Sequence, residues 1–142
     1  MQPRPAPRLR RLVWLLPLAF ALHELEEWNI VPWFEAHFVP RTELTALGAR
    51  SLLVAFSLAA FLYTALTSLL PSTRAWLLAI LPLFVLAGFG NALIHVFWLL
   101  RFGAYAPGVV TAALLVAPLT VYVSIRAVRE RLVPAWYVGG TT

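Results

Sequence analysis

The sequence predicts an all-α integral membrane protein, a four-helix bundle with both termini in the cytoplasm. Of its 142 residues, 61% are hydrophobic and only 12% are charged, and the mean hydropathy is +0.82. A soluble domain of this length cannot bury so large an apolar fraction in one core. The apolar residues also fall into four long runs, without the alternation that is typical of an outer-membrane barrel. These two observations exclude an ordinary soluble domain.

Each of the four runs is long enough to cross a hydrocarbon core, which takes about 20 helical residues. The first is expected to end before Pro32, because the residue that precedes a proline is disfavoured in a helix. The second ends before Pro71. The third and fourth contain Pro82 and Pro118, which are tolerated inside a span where neighbours satisfy the freed carbonyls. The predicted spans are residues 12–31, 47–70, 75–100 and 108–125.

The arginines set the predicted orientation. All eleven basic residues are arginine and all six acidic residues are glutamate, for a net charge of +5. Eight arginines fall on the side of the two termini and three on the other, which by the positive-inside rule places both termini in the cytoplasm. This predicts a multi-pass protein of the inner (cytoplasmic) membrane. Because the arginines flank apolar runs, they indicate membrane topology rather than a nucleic-acid partner.

The predicted organisation is a single membrane domain with two polar flanks. Residues 1–11 are expected to be a disordered basic segment, residues 12–126 the four-span domain, and residues 127–142 a cytoplasmic tail. A signal peptide cleaved after Ala21 is the alternative for the N-terminus. Pro17 and the helix-compatible residues through Trp28 favour an uncleaved span. The chain has no cysteine, which excludes disulfides and thiolate metal sites.

An acidic motif, HELEEW, follows the first apolar run directly. The uncharged run, residues 12–22, is eleven residues long, or about 16 Å of helix. It therefore crosses only about half of a hydrocarbon core of roughly 30 Å. His23, Glu26 and Glu27 share one helix face by their i, i+3 and i+4 spacing, whereas Glu24 is expected to point away and reach the interface. Ionisable groups at this depth usually face the bundle interior and have partners.

The other spans supply such partners. Asn91 and His95 are four residues apart, on one face of the third span and at a depth similar to that of the motif. Thr111 lies about one turn into the fourth span, Tyr105 precedes that span, and Arg50 lies at the same outer level on the second span. We therefore expect one polar cavity that opens towards the outside.

Three short motifs carry a resemblance to a known family. H-E-L-E-E matches the signature of the HXXEE family of small bacterial membrane proteins, and N-A-L-I-H and Y-A-P-G-V-V-T are similar to its later elements. The resemblance covers roughly residues 12–125. The family has no established activity, so the resemblance implies a site rather than a reaction. The residues that it implies are His23, Glu26, Glu27, Asn91, His95, Tyr105, Pro107, Gly108 and Thr111.

The leading hypothesis for the cavity is a metal-dependent hydrolase. His23, Glu27 and His95 are suitable ligands for a divalent Zn, Fe or Mn ion. Glu26 is expected to act as a further ligand or as the general base, with Glu27 in a catalytic role beside its ligand role. Asn91 is expected to orient a substrate carbonyl or stabilise an oxyanion. Arg50, Tyr105 and Thr111 are further candidate cavity residues, and the expected substrate is lipid-like.

Other interpretations stay open at this point. The cavity is also compatible with a metal-free acid–base site that isomerises a lipid, or with a non-enzymatic binding or transport-associated protein, as a monomer or an oligomer among membrane lipids. Structural roles are the simplest alternatives. The glutamates are then a hydrated helix end, Asn91 and His95 link helices by hydrogen bonds, Arg50 extends to the interface, and Thr111 bonds its own backbone.

Overall fold

The computed structural model describes residues 7–38 and 45–139, and within these ranges the chain forms helices and no strand. We number seven helices, of which the last follows a short turn. They are α1 (Pro7–Val13), α2 (Leu15–Glu26), α3 (Ile30–His37), α4 (Ala46–Ser68), α5 (Thr73–Phe102), α6 (Val109–Arg129) and α7 (Ala135–Gly139), with a 3-10 turn, Glu27–Asn29, between α2 and α3.

Three helices, α4, α5 and α6, are long and apolar enough to cross a membrane. They have 23, 30 and 21 residues with hydropathies of 1.7, 2.3 and 1.8, and they match the predicted second, third and fourth spans. The first predicted span is instead divided into α1, α2 and α3. Its longest piece, α2, has 12 residues, or about 18 Å of helix. The structure therefore shows three long apolar helices and one segmented stretch.

The segmented stretch does not end at Val31 as predicted. Pro32 is the third residue of α3, which continues to His37. A proline in the first turn of a helix removes no helical hydrogen bond, because the N–H groups there have no intrahelical acceptor. The helix path is interrupted earlier, at Asn29, where φ is −118° and ψ is 37°.

Residues 7–11 correct the prediction of a disordered N-terminal segment. They belong to α1, and Leu9 and Val13 are fully buried against Trp76 and Leu77 of α5. The Arg10 guanidinium lies 5.1 Å from the centre of the Trp76 ring. Apolar contact thus orders a segment whose composition favours disorder. Residues 1–6, the rest of that segment, lie outside the described residues.

The predicted tail, residues 127–142, also takes part in the fold. Ala127 lies inside α6 and is fully buried, and Val133 is 2% exposed in the same apolar core. Within α7, the Tyr137 hydroxyl donates a hydrogen bond of 2.5 Å to the Leu78 carbonyl. That carbonyl is the one left without its helical partner by Pro82, which has no N–H group. Residues 140–142 lie outside the described residues.

Two π-helical segments interrupt α5 and α6. Phe84–Gly90 follows Pro82 and ends directly before Asn91, and Ala112–Val116 begins directly after Thr111. They pack closely at Gly88, where a Cβ atom would lie 3.2 Å from the Val116 side chain. Such segments are common at functional sites because they shift the helical register locally. Here each segment sets the direction of the candidate site residue beside it, Asn91 in α5 and Thr111 in α6.

Candidate functional site

The structure brings His23, Glu27 and His95 together in the helical interior. The Glu27 Oε1 atom lies 2.6 Å from His95 Nε2 and 3.3 Å from His23 Nε2. The three donor atoms are within 4.8 Å of one another, and the residues are 1%, 8% and 1% exposed for His23, Glu27 and His95. These are the three metal ligands that the sequence predicts, and together they have the spacing to hold one ion. We call His23, Glu27 and His95 the ligand group.

The hydrogen bonds of His23 define which of its ring nitrogens carries a proton. Its Nδ1 atom lies 3.1 Å from the Gly108 carbonyl oxygen and 3.1 Å from Thr111 Oγ1. Because a carbonyl can only accept, Nδ1 must donate. In a neutral imidazole the single lone pair of Nε2 then accepts from Asn91 Nδ2 at 2.8 Å, while Glu27 Oε1 lies 3.3 Å from the same atom. Two acceptor atoms, His23 Nε2 and Glu27 Oε1, therefore face each other, an arrangement that a proton or a metal ion between them stabilises.

His95 reaches the cluster from α5. Its ring packs edge-on against His23 at 4.9 Å and against Trp98 at 5.0 Å between ring centres. Its Nδ1 atom has no hydrogen-bond partner among the described residues. The aromatic neighbours thus fix the ring, and Nε2 is the atom that faces Glu27. Asn91, predicted to contact substrate, contacts His23.

Glu26, predicted as a further ligand or as the general base, does not belong to the ligand group. Its carboxylate accepts four hydrogen bonds: from the Tyr105 hydroxyl at 2.6 Å, from the Val110 N–H at 3.1 Å, and from the Thr111 N–H at 2.7 Å and hydroxyl at 2.5 Å. The two N–H groups belong to the start of α6, where a negative charge is favoured by the helix dipole. Glu26 therefore fixes the start of α6.

Thr111 joins Glu26 to the ligand group. Its hydroxyl donates to Glu26, so its oxygen accepts from His23 Nδ1. This continuous chain from a carboxylate to a histidine resembles the supporting hydrogen bonds behind metal-bound histidines, which hold the ring and its tautomer.

We expect Thr111→Val to weaken divalent metal binding by about 10–100-fold, the usual loss when such a supporting group is removed. Valine keeps the shape and removes the hydroxyl. Thr111→Ser is the matched control, because it keeps the hydroxyl and should bind like the wild type. The measurement is competition against a chromogenic chelator. Equal affinity in the valine variant would contradict a supporting role for the hydroxyl.

Gly108 packs directly on the ligand group. Its φ is +93°, a conformation that L side chains rarely adopt. A Cβ atom at this position would lie 2.8 Å from Cε1 of His23 and of His95, and 2.9 Å from Glu27 Cγ. The sequence predicts only a tight start of the fourth span here, and the contact itself depends on residues far away along the chain.

Arg50, predicted as a further cavity residue, lies outside the ligand group. It donates to the Asn29 side chain at 2.7 Å and to the Trp28 carbonyl at 3.2 Å, and its guanidinium lies 5.4 Å from the centre of the Trp28 ring. Because α4 passes beside the 3-10 turn that follows α2, Arg50 reaches this turn and stabilises it.

Tyr105 is 54% exposed and contacts the site only through Glu26. Partial burial and the hydrogen bond to Glu26 raise the pKa of Tyr105 from 10.0 to about 12. The folded protein thus keeps this proton between pH 10 and 12, where the unfolded chain releases it. The contribution of this proton to the stability of the fold is complete below the pKa of the unfolded chain. It is lost as the pH rises through the pKa of the folded protein.

We expect an ultraviolet titration of tyrosinate to show a late step near pH 12. The Tyr105→Phe variant should lack that step, because the raised pKa belongs to this hydroxyl, and Tyr122→Phe should keep it. Ionisation of Tyr105 at the ordinary pH would show that its hydrogen bond to Glu26 does not form.

A mainly apolar groove of about 890 Å³ lies between α2, α4 and α5. Its polar lining includes Glu24, Glu27 and Asn91. Apart from Phe20 of α2, its other residues come from the middle of α4 and α5 rather than from their ends. A lateral groove therefore meets the ligand group at Glu27. Tyr105, Thr111 and Arg50 are not part of its lining.

Glu24 is the site residue that the sequence analysis missed. It is 5% exposed and lines the groove, whereas the prediction placed it at the interface. The signal was present in its spacing, since Phe20, Glu24 and Glu27 are at i, i+4 and i+7 and so share a helix face.

A scan against family models matches residues 14–123 to a family described as proteins of unknown function with an HXXEE motif. A search of curated proteins gives no match, and neither does a search of solved structures. The matched range covers well over half of the chain and contains His23, Glu27 and His95 as well as Glu26 and Thr111. The chain therefore belongs to the HXXEE family.

Proposed function

We propose that this protein is a metal-dependent membrane hydrolase that acts on a lipid-like substrate. The observation that carries the proposal is the group formed by His23, Glu27 and His95, whose donor atoms lie within 4.8 Å of one another. Two imidazole nitrogens and a carboxylate oxygen suit Zn, Fe or Mn. Three protein ligands are also the usual number in catalytic zinc sites, where the fourth position takes water or substrate.

The surrounding residues support this reaction class. A bound divalent ion supplies Lewis-acid activation of water or of a carbonyl. Glu27 and Asn91 both line the apolar groove, so the ligand group lies where a lipid-like molecule can reach it from the side. Glu26 and Thr111 hold the His23 ring, and the aromatic ring of Trp98 holds His95.

Elemental analysis and a hydrolysis assay on the same purified protein test the proposal. We expect about one divalent ion per chain in wild type and loss of that ion in Glu27→Gln. Glu35→Gln, an exposed glutamate of α3, is the matched control. Chelation should abolish hydrolysis of amphiphilic esters or amides in nanodiscs, and the metal should restore it. Bound metal without hydrolysis would favour a binding or transport-associated protein instead.

A metal-free acid–base site is the second candidate, and one observation favours it. Glu27 Oε1 and His95 Nε2 are only 2.6 Å apart, so they form a hydrogen-bonded pair without any ion. Such a pair can move a proton during isomerisation of a lipid double bond. Absence of metal from wild type, together with isomerase activity that is lost in His95→Ala, would select this candidate.

We also propose that α1–α3 provides a fourth crossing of the inner membrane, with both termini in the cytoplasm. The apolar run before His23 and the excess of arginines beside the two termini support this orientation. The chain has no cysteine, so single substitutions can be labelled selectively. A membrane-impermeant maleimide should label Ala104→Cys from outside the cell and Ser72→Cys only after lysis. The opposite pattern would invert the topology.

A further inference from the structure

We propose that the lateral groove binds an amphiphile with an alkyl chain and an ammonium head group, and that Glu24 binds the ammonium. The proposal deepens the proposed function, since it names the substrate class for the same site and rests on that function for the reaction. The proposal rests on three features that lie side by side: an apolar groove, a buried carboxylate without a hydrogen-bond partner, and the ligand group.

The groove suits an alkyl chain. Its lining is mostly aliphatic and aromatic, and its volume of about 890 Å³ is within the range of small-molecule pockets, about 300–1,000 Å³. Several lining side chains, including Phe56, Leu86 and Ile94, are themselves more than 40% exposed. The groove therefore opens on the lateral surface, which gives a lipid chain direct access from the bilayer.

Glu24 supplies the polar end of this binding site. The residue is 95% buried, and its Oε2 atom has no hydrogen-bond partner among the described residues. Burying a polar atom without a hydrogen-bond partner costs at least the desolvation free energy of that atom. Most buried polar atoms in proteins therefore have partners. A second, smaller pocket of about 210 Å³ also reaches Glu24 from the side of Trp28. A ligand that donates hydrogen bonds satisfies this atom.

The charges near the groove select the head group. Glu24 and Glu27 are its acidic lining residues, and none of the described lining residues is basic. A carboxylate or phosphate head at Glu24 would meet another acid and no basic side chain, whereas an ammonium head gains opposite charge and three hydrogen-bond donors. The groove is therefore expected to distinguish an amine from an acid with the same alkyl chain.

Photo-crosslinking in nanodiscs tests this selection. The probes are dodecylamine, dodecanol and dodecanoate, each with a diazirine in the middle of the chain. We expect dodecylamine to label α4 and α5 at the groove at least about ten-fold more than dodecanoate does. Glu24→Gln should remove that preference, since a hydrogen bond to a charged group is equivalent to about ten-fold or more in affinity. Glu35→Gln should keep it.

Three further variants test the groove and separate this proposal from the metal site. Ala59→Trp fills the groove and should abolish labelling, whereas Ala55→Trp, exposed on the same helix outside the lining, should not. His95→Ala should keep the amine preference even though it removes a metal ligand, so failure of the metal proposal leaves this result intact. Equal labelling by all three probes, or an amine preference that persists in Glu24→Gln, would overturn the proposal.

Discussion

Replacement of His95 by alanine is expected to lower the affinity for a divalent ion by more than about a hundred-fold. His95 supplies one of three donor atoms, and its Nε2 atom lies 2.6 Å from Glu27 Oε1. Loss of a supporting residue behind a ligand usually weakens metal binding by about 10–100-fold, so loss of the ligand itself should exceed that range. The measurement is the dissociation constant from competition with a chromogenic chelator, paired with metal content after dialysis.

The control for this experiment is His37→Ala. His37 stacks on Trp33 at 4.5 Å and contacts no member of the ligand group, so this variant loses an imidazole without losing a ligand. Alanine is the best helix former, and both histidines are in helices, so the helical content should not fall in either variant. If His95→Ala and His37→Ala bind metal equally well, the ligand assignment is wrong.

Substitution of Gly108 by alanine is expected to disturb both the fold and the site. The added Cβ would lie 2.8 Å from the His23 and His95 rings, so those rings must move. Overpacking of this kind destabilises proteins by about 1–3 kcal/mol, and the strained backbone at φ +93° adds about 1–3 kcal/mol. We expect a marked loss of thermal stability in detergent together with loss of bound metal.

Gly103 provides a matched comparison for Gly108. Its φ is +62°, also in the left-handed region, but a Cβ there would have no neighbour within 4 Å. Gly103→Ala should therefore show only the backbone strain, about 1–2 kcal/mol, and should retain the metal. If Gly108→Ala and Gly103→Ala behaved alike in stability and metal content, the close packing of Gly108 on the ligand group would be refuted.

The ligand group was predictable from sequence because its spacing is local and its depth follows from counting. His23 and Glu27 are four residues apart on one helix, and His95 lies at a matching depth on another. The role of Glu26 was not predictable in this way. It shares the same helix arc, but its partners Val110 and Thr111 are more than eighty residues away, and only the packed position of α6 decides the contact.

The sequence predicts part of the fold, as it predicts part of the site. Continuous apolar runs define α4, α5 and α6, since length and hydropathy are properties of the sequence itself. The division of the first run at Asn29 and the order of residues 7–11 depend on contacts with Arg50 and Trp76. Tertiary contacts of this kind are not visible in a hydropathy profile.

The π-helical segment Phe84–Gly90 makes α5 tolerant of one change in chain length. Such a segment holds more residues per turn than an α-helix. Deleting one of its residues would let it revert to regular α-helix with nearly the same total rotation, so His95 would still face Glu27. The same deletion in the regular helix between the segment and His95, at residues 92–94, would instead rotate His95 by about 100°. There, a single codon lost from the gene removes the centre but leaves α5 long and apolar enough to span.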